Sequence, residues 1–394
     1  MSHQHSNLIA NVHPAHENEV HDVYPIGHDS DLKKPARKSL YYNRFILPFN
    51  SLTFGAQSIL FQINNVGLLS NTYLQMTLPG SGTVRANSII GQSLITRVDY
   101  IFAGSQMVTV QGPDNFLFAL DQCEDTAKKL EIIKLAGGDL QGQVISAETT
   151  VYVPLVFPWS HTRAGGKKFP VDLSLVNSPV KIMIYLNTGA NLYSANAPSA
   201  LTAGQMVCKM GELADASQRL HLGDKILMYP HAFLQSFQSS SYTPASTSAN
   251  NTVYLSGFRS GSLAGMLVRA VDVAKLGQTD FVFNTISDVV FRVNGVIVAQ
   301  FDKENYKLQN LMDSNTANKV TINNTDYWYV HFNFTANPLK LMDFGVKNQS
   351  SINLQSQLLQ VDFKSNSTNA QVLQVCYVYE GMLAIGQGNA EVIV

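Results

Sequence analysis

The sequence predicts an all-β protein made of two consecutive domains of one topology, preceded by an arm. Three observations carry this reading. Short apolar runs recur between turns rich in Gly, Asn and Ser. A single stretch has sustained helical spacing. Segments of the first half reappear, in order, in the second.

Residues 1–40 stand apart from the rest. They hold six of the ten histidines (His3, His5, His13, His16, His21 and His28) and no sustained apolar period. The basic cluster Lys33, Lys34, Arg37 and Lys38 closes them. A segment with no apolar face has nothing to bury, so it reads as an arm outside the core. Its simplest role is a polar flexible tail; metal binding or pH sensing by the histidines is the sharper alternative.

From Tyr41 onward the texture is that of strands. Phe45–Pro48, Ile59–Ile63 and Tyr73–Leu78 are short apolar runs, and Leu94–Phe102 alternates, with Val98, Tyr100 and Phe102 on one face. Ala103, Gly104 and Ser105 make a turn, and Gln106–Val110 returns. Asp114–Ala136 is the helical stretch, with Phe116, Leu117, Leu120, Leu130, Ile133 and Leu135 at helical spacing and Gly137-Gly138 as its stop. Val151–Phe157, Val180–Leu186 and Gln205–Glu212 read as further strands. Segments 187–203 and 238–252, rich in Ser, Ala, Asn and Thr, read as surface loops. Many short strands joined by such turns mean sandwiches or barrels.

The repeat divides the chain. Ile95, Val98, Tyr100 and Phe102 match Ile286, Val289, Phe291 and Val293, and the turn glycines Gly104 and Gly295 match as well. Downstream, Leu173, Leu175, Val180, Ile182 and Ile184 pair with Ile352, Leu354, Leu359, Val361 and Phe363. Val207 to Glu212 pairs with Val375 to Glu380. The offset is constant within each segment and drifts between segments, as loop insertions would produce. The expected division is an arm at 1–40, a first β-domain at 41–222 and a second at 223–394.

Composition narrows the function. Charged residues are 14% of the chain and hydrophobic ones 45%, against about 25% charged in ordinary soluble proteins. So little charge implies a surface that meets other protein chains. A net charge of −1 gives no case for nucleic-acid binding. No apolar run is long enough for a membrane-spanning helix. Cys123, Cys208 and Cys376 are far apart and odd in number, which argues against a disulfide framework or a Cys-based zinc site.

No catalytic constellation emerges. The one His-x-His is His3-Gln4-His5 in the arm, while His161, His221, His231 and His331 are scattered singly. A bicupin enzyme would need a His-x-His pair and a third ligand on barrel strands. There is no Gly-x-Ser-x-Gly elbow, phosphate loop or EF-hand loop. Asp114, Asp121, Glu124 and Asp125 gather near the helix start, where they suit the helix dipole better than acid–base work; calcium between subunits is the lesser alternative. The Asn-x-Ser/Thr triplets at Asn250, Asn323, Asn333, Asn348 and Asn366 are best read as coincidence in a chain rich in these residues.

Four stretches carry a family resemblance. They are Leu94–Val110 with the helix after it; Tyr152-Val153-Pro154-Leu155-Val156-Phe157 with Phe169-Pro170-Val171-Asp172-Leu173 and Val180–Ile184; Tyr329 to Pro338 with Ser351 to Leu354; and Val375–Gln387. Their ordered set resembles the double jelly-roll major capsid proteins of tailless icosahedral, tectivirus-like DNA viruses. The compact loops depart from the giant-virus members and fit a bacteriophage or another small member. The resemblance implies two tandem eight-stranded jelly rolls, with a short helix in the first. It implies a homotrimer of pseudo-hexagonal outline that tiles a virion shell over an internal membrane, assembled in the host cytoplasm. Its partners would be itself, penton and minor capsid proteins, and the inner membrane through the arm, where Lys33, Lys34, Arg37 and Lys38 are the candidate membrane or subunit contacts. It implies no enzyme activity, no cofactor and no sequence-specific nucleic acid. The competing reading is a carbohydrate-binding double β-sandwich, motivated by Trp159, Trp328 and Tyr329.

Overall fold

A computed structural model describes residues 40–55, 58–64, 67–86, 88–102, 105–121, 126–155, 171–213, 227–256, 262–276, 284, 286–301, 316–322, 325–333, 352–353, 357–386 and 389–393. The expected boundary at 222 therefore lies outside the described residues, as do the basic cluster and all six arm histidines.

The first half contains eight principal strands: β1 (Leu40–Pro48), β2 (Ile59–Ile63), β3 (Leu68–Leu78), β4 (Ile95–Phe102), β5 (Ser105–Gln111), β6 (Thr149–Leu155), β7 (Val180–Leu186) and β8 (Ala203–Leu213). They pair antiparallel in the orders β1-β8-β3-β6 and β5-β4-β7-β2. Early and late strands thus alternate within each sheet, which is the jelly-roll topology. Alternation along each strand fills the core between the sheets. In β7, Val180, Ile182, Ile184 and Leu186 are buried and the residues between them half-buried.

The second half repeats the plan with β9 (Leu227–Gln238), β10 (Asn251–Leu255), β11 (Ser262–Asp272), β12 (Ile286–Val293), β13 (Val296–Phe301), β14 (Thr316–Ile322), β15 (Thr325–Asn333), β16 (Leu359–Ser365), β17 (Gln371–Gly386) and β18 (Asn389–Ile393). Its sheets run β9-β17-β11-β15 and β10-β16-β12-β13, in the same permutation as the first. Two additions break the symmetry. β14 extends the first of these sheets beyond β15, and β18 folds back on the end of β17.

The sequence repeat is reproduced at residue level. Tyr100 faces Ile182 across β4 and β7, and Phe291 faces Val361 across β12 and β16, as the alignment of the two segments requires. Of the four matched inward pairs, Ile95/Ile286, Val98/Val289 and Tyr100/Phe291 are fully buried. In the fourth, Phe102 is buried and Val293 only half-buried, because Val293 borders the exposed Asn294-Gly295 turn. Those two turn residues have φ of 50° and 81°, the left-handed pair of a tight two-residue hairpin. The short strands Val171–Asp172 and Ile352–Asn353 also correspond, each pairing with the start of β3 or β11.

The expected helix over 114–136 is realised as two, Gly112–Asp121 and Thr126–Leu135, after which Gly137 adopts a left-handed φ of 85°. Phe116, Leu117 and Leu120 of the first are buried, whereas Leu130 and Leu135 of the second face solvent. Gly112 is required where the first helix leaves β5, since a Cβ there would lie 1.9 Å from the Ile95 carbonyl oxygen.

Segment 187–203 is more structured than its composition suggests. It holds a helical turn, Gly189–Leu192, and a strand, Tyr193–Ala195, that pairs with Thr83–Val84. Leu192, Tyr193 and Leu201 are buried there; anchors so few and so spaced leave no periodic trace. Segment 238–252 is mostly exposed, tied down by Tyr242, whose backbone bonds to Gln371 and whose ring meets Phe363 edge-on at 5.5 Å.

Candidate functional site

The two jelly rolls meet where β5 of the first lies beside β9 of the second. A parallel bridge sets Thr109 against Gln235, so one sheet of each half merges into a continuous sheet. Directly beside this seam, Asp114 in the first helical turn forms a buried ion pair with Arg269 on β11. Ser236 Oγ donates to the other Asp114 oxygen at 2.8 Å, and Arg269 Nε donates to Gln374 Oε1 at 2.9 Å. Asp114 therefore does more than favour the helix dipole, its expected role: it joins one half to the other.

The Cys376 thiol lies in the same cluster. Burial pushes it well above its ordinary value, and the Asp114 charge adds to this while Arg269 opposes it. On the first-half side, Arg97 Nε donates to Asp99 at 2.8 Å, Thr109 Oγ1 donates to the same carboxylate at 2.9 Å, and the guanidinium stacks 4.4 Å from the Tyr185 ring. The Asp99 hydrogen bond, working against partial burial, raises the Arg97 pKa. A cleft of about 440 Å3 opens over the seam, lined by Thr96, Gln111, Asn187, Gln238 and Lys275 among others. Its walls are mixed polar and apolar, and among the described residues no three His, Cys, Asp or Glu side chains gather to hold a metal.

Exposed apolar side chains are the other notable surface. Val296, Ile297 and Val298 form an unbroken run on β13, at 68%, 49% and 43% exposure, with Leu358 and Tyr254 also exposed in the same sheet region. Ile46 on β1 is 52% exposed. Isolated exposed apolar residues are ordinary, but three in sequence on a strand edge are not.

The expected contact residues Lys33, Lys34, Arg37 and Lys38 fall outside the described residues, as do Trp159, His161 and His221. The backbones of His231 and Trp328 run in β9 and β15, but their side chains are outside what the structure describes. Sequence reasoning missed Arg269 altogether.

Neither a protein-family model nor a curated protein sequence matches the chain. Solved structures do. PBCV-1 VP54, in a crystal structure fitted into a reconstruction of the virophage Sputnik, superposes with a TM-score of 0.67 at 14% identity, over 89% of this chain and 96% of that one. The Faustovirus major capsid protein gives a TM-score of 0.59 at 9% identity, covering 88% and 91%. The mavirus major capsid protein gives 0.52 at 12% identity, covering 91% and 90%. The fold of this chain is thus the double jelly roll that these viral capsid proteins share.

Proposed function

We propose that the chain is a major capsid protein, a structural subunit rather than an enzyme, whose homotrimers of pseudo-hexagonal outline tile an icosahedral virion shell. One observation carries this reading: both jelly rolls, in tandem and joined edge to edge, superpose on nearly the whole length of viral capsid proteins. The low charge content and the exposed apolar edges support it, because permanent subunit interfaces are apolar and poor in charge.

The division into an arm at 1–40, a first jelly roll at 41–222 and a second at 223–394 belongs to this proposal. The arm is assigned to the inner membrane or a neighbouring subunit through Lys33, Lys34, Arg37 and Lys38. Penton and minor capsid proteins are the further partners, and assembly takes place in the host cytoplasm. Light scattering on the purified native chain tests the reading together with negative-stain imaging. Trimers of hexagonal outline are expected; a species that stays monomeric at all concentrations overturns it.

A further inference from the structure

The cleft over the seam lies where the two halves part. β5 and β9 run parallel and meet at the Thr109–Gln235 bridge, and shortly beyond it both strands end, at Gln111 and Gln238. These two residues line the cleft from opposite halves. Asn191, from the helical turn Gly189–Leu192, lines it from the first half, and Phe237 lines it from the second. The buried Asp114–Arg269 pair ties the two walls together beside it, so the cleft is pre-formed. Its volume of about 440 Å3 falls in the range of small-molecule sites, roughly 300–1,000 Å3, which favour the boundary between domains.

The chemistry of the walls selects the ligand. The charged groups already have partners: Asp114 is paired with Arg269, and Lys275 Nζ lies 3.4 Å from Asp272 Oδ2. An ionic ligand would have to displace one of these pairs. What the walls still offer is amide groups. Gln238 Oε1 accepts from Gln374 Nε2 at 3.2 Å, and the Gln238 amide nitrogen has no acceptor among the described residues. Asn191 Nδ2 donates to Asn187 Oδ1 at 2.9 Å, and Asn191 Oδ1 has no donor among them. The Gln111 side chain makes no hydrogen bond with any described residue and offers both functions. The half-buried Phe237 ring adds an apolar wall, held 6.2 Å from the ring of Tyr377. A purely apolar ligand would strip water from these amides and return nothing, at a cost for each group left unpaired. A hydroxyl both donates and accepts, so it can answer either end of an amide. A molecule with several hydroxyls on a body with an apolar C–H face answers all of these walls at once.

We infer that the seam cleft binds a neutral saccharide. Gln111, Asn191 and Gln238 hold its hydroxyls, and Phe237 packs against the C–H face of a sugar ring. Neither half holds this site alone, since Gln111 and Asn191 come from the first and Phe237 and Gln238 from the second. Trp159, Trp328 and Tyr329, the aromatic residues that suggest sugar binding in the sequence, do not line it. The inference rests on the cleft and not on the capsid reading; on a capsid subunit it makes the shell protein itself a glycan-binding surface.

The test is titration calorimetry on the purified full chain with lactose, maltose, mannobiose and chitobiose as neutral probes and sialyllactose as the charged one. At least one neutral probe should bind saturably. Gln111→Met keeps the side chain's size and removes its hydrogen bonds, and should weaken that binding about tenfold, the equivalent of one neutral hydrogen bond. Gln238→Ala, at an exposed position that is unlikely to disturb folding, should do the same. Thermal unfolding of both variants should match the parent, which separates lost contacts from lost structure. No binding by any neutral probe overturns the inference. Binding that both folded variants leave intact overturns the cleft as its place, and binding by sialyllactose alone overturns the neutral class. Light scattering on the same samples keeps the two readings apart: a chain that binds a neutral probe through Gln111 and Gln238 yet stays monomeric overturns the capsid reading and not this one.

Discussion

Asp114 and Arg269, 155 residues apart in the chain, form an ion pair whose side chains are 2% and 4% exposed, and the pair bolts one jelly roll to the other. Taking a carboxylate and a guanidinium out of water is costly, and here the cost is offset by further bonds to Ser236 and Gln374. Removing one partner strands the other charge. Arg269→Met should therefore destabilise the protein by about 3–5 kcal/mol in denaturant titrations. Joining it to Asp114→Leu should restore most of that loss, because a matched apolar pair has no charge to desolvate. A single variant as stable as the parent would show that the pair holds nothing together.

Two glycines should respond to substitution for different reasons. At Gly112 a Cβ would meet the Ile95 carbonyl oxygen at 1.9 Å, so Gly112→Ala must move either the helix or β4. At Gly295 nothing lies within 4 Å of the added atom, and only the left-handed φ of 81° resists it. Gly295→Ala should thus cost about 1–2 kcal/mol, and Gly112→Ala clearly more. Thermal unfolding of both variants ranks them, and the reverse order would contradict the close approach at Gly112.

The contrast between what could be read early and what could not follows from range. The β4 and β12 segments were legible because their core residues alternate from Val98 to Phe102 and from Val289 to Val293 and run into a turn, both local properties of the chain. The Asp114–Arg269 pair left no trace, since a buried charge looks like a surface charge until its partner arrives from a distant strand. β14 and β18 were missed because Thr316 to Ile322 and Asn389 to Ile393 are too polar to resemble core strands. The run Val296–Val298 misleads in the opposite sense: its apolar character suggests interior, and only sheet order reveals an edge.

Acid should weaken the second jelly roll through two carboxylates. Burial alone pushes Asp272 up, but hydrogen bonds from Asn284 at 2.6 Å and Asn369 at 3.2 Å, with Lys275 at 3.4 Å, outweigh it and hold the pKa below its ordinary 3.8. Asp362 is likewise raised by burial and lowered further by Gln360, Arg292 and Thr252, at 2.6, 2.8 and 2.8 Å. A folded pKa below the unfolded one gives stability that is complete above the ordinary value and is lost as pH falls through 3.8 toward the folded value. Denaturant midpoints between about pH 6 and pH 3 should fall, and Asp272→Asn should flatten the slope. An unchanged midpoint over that range would remove both groups from the account.

Cys208 and Cys376 should be silent in the folded chain. Burial pushes Cys208 up to about 11, only partly countered by the Thr72 hydroxyl 3.7 Å from its sulfur, and Cys376 is raised well above its ordinary value by burial and then by Asp114. The thiolate is the reactive form, and at neutral pH a thiol with a pKa near 11 is ionised to the order of 10⁻⁴. Neither sulfur is reachable from solvent, so ionisation and access both oppose attack. A Cys123→Ser chain should take up no maleimide under native conditions and two equivalents in denaturant, with uptake by the folded protein following its opening rate. Arg44→Cys, placed on the exposed edge of β1, should by contrast react at once in the folded chain. Rapid native labelling of the parent pair would mean that the β8 and β17 strands open far more readily than their central positions in the two sheets allow.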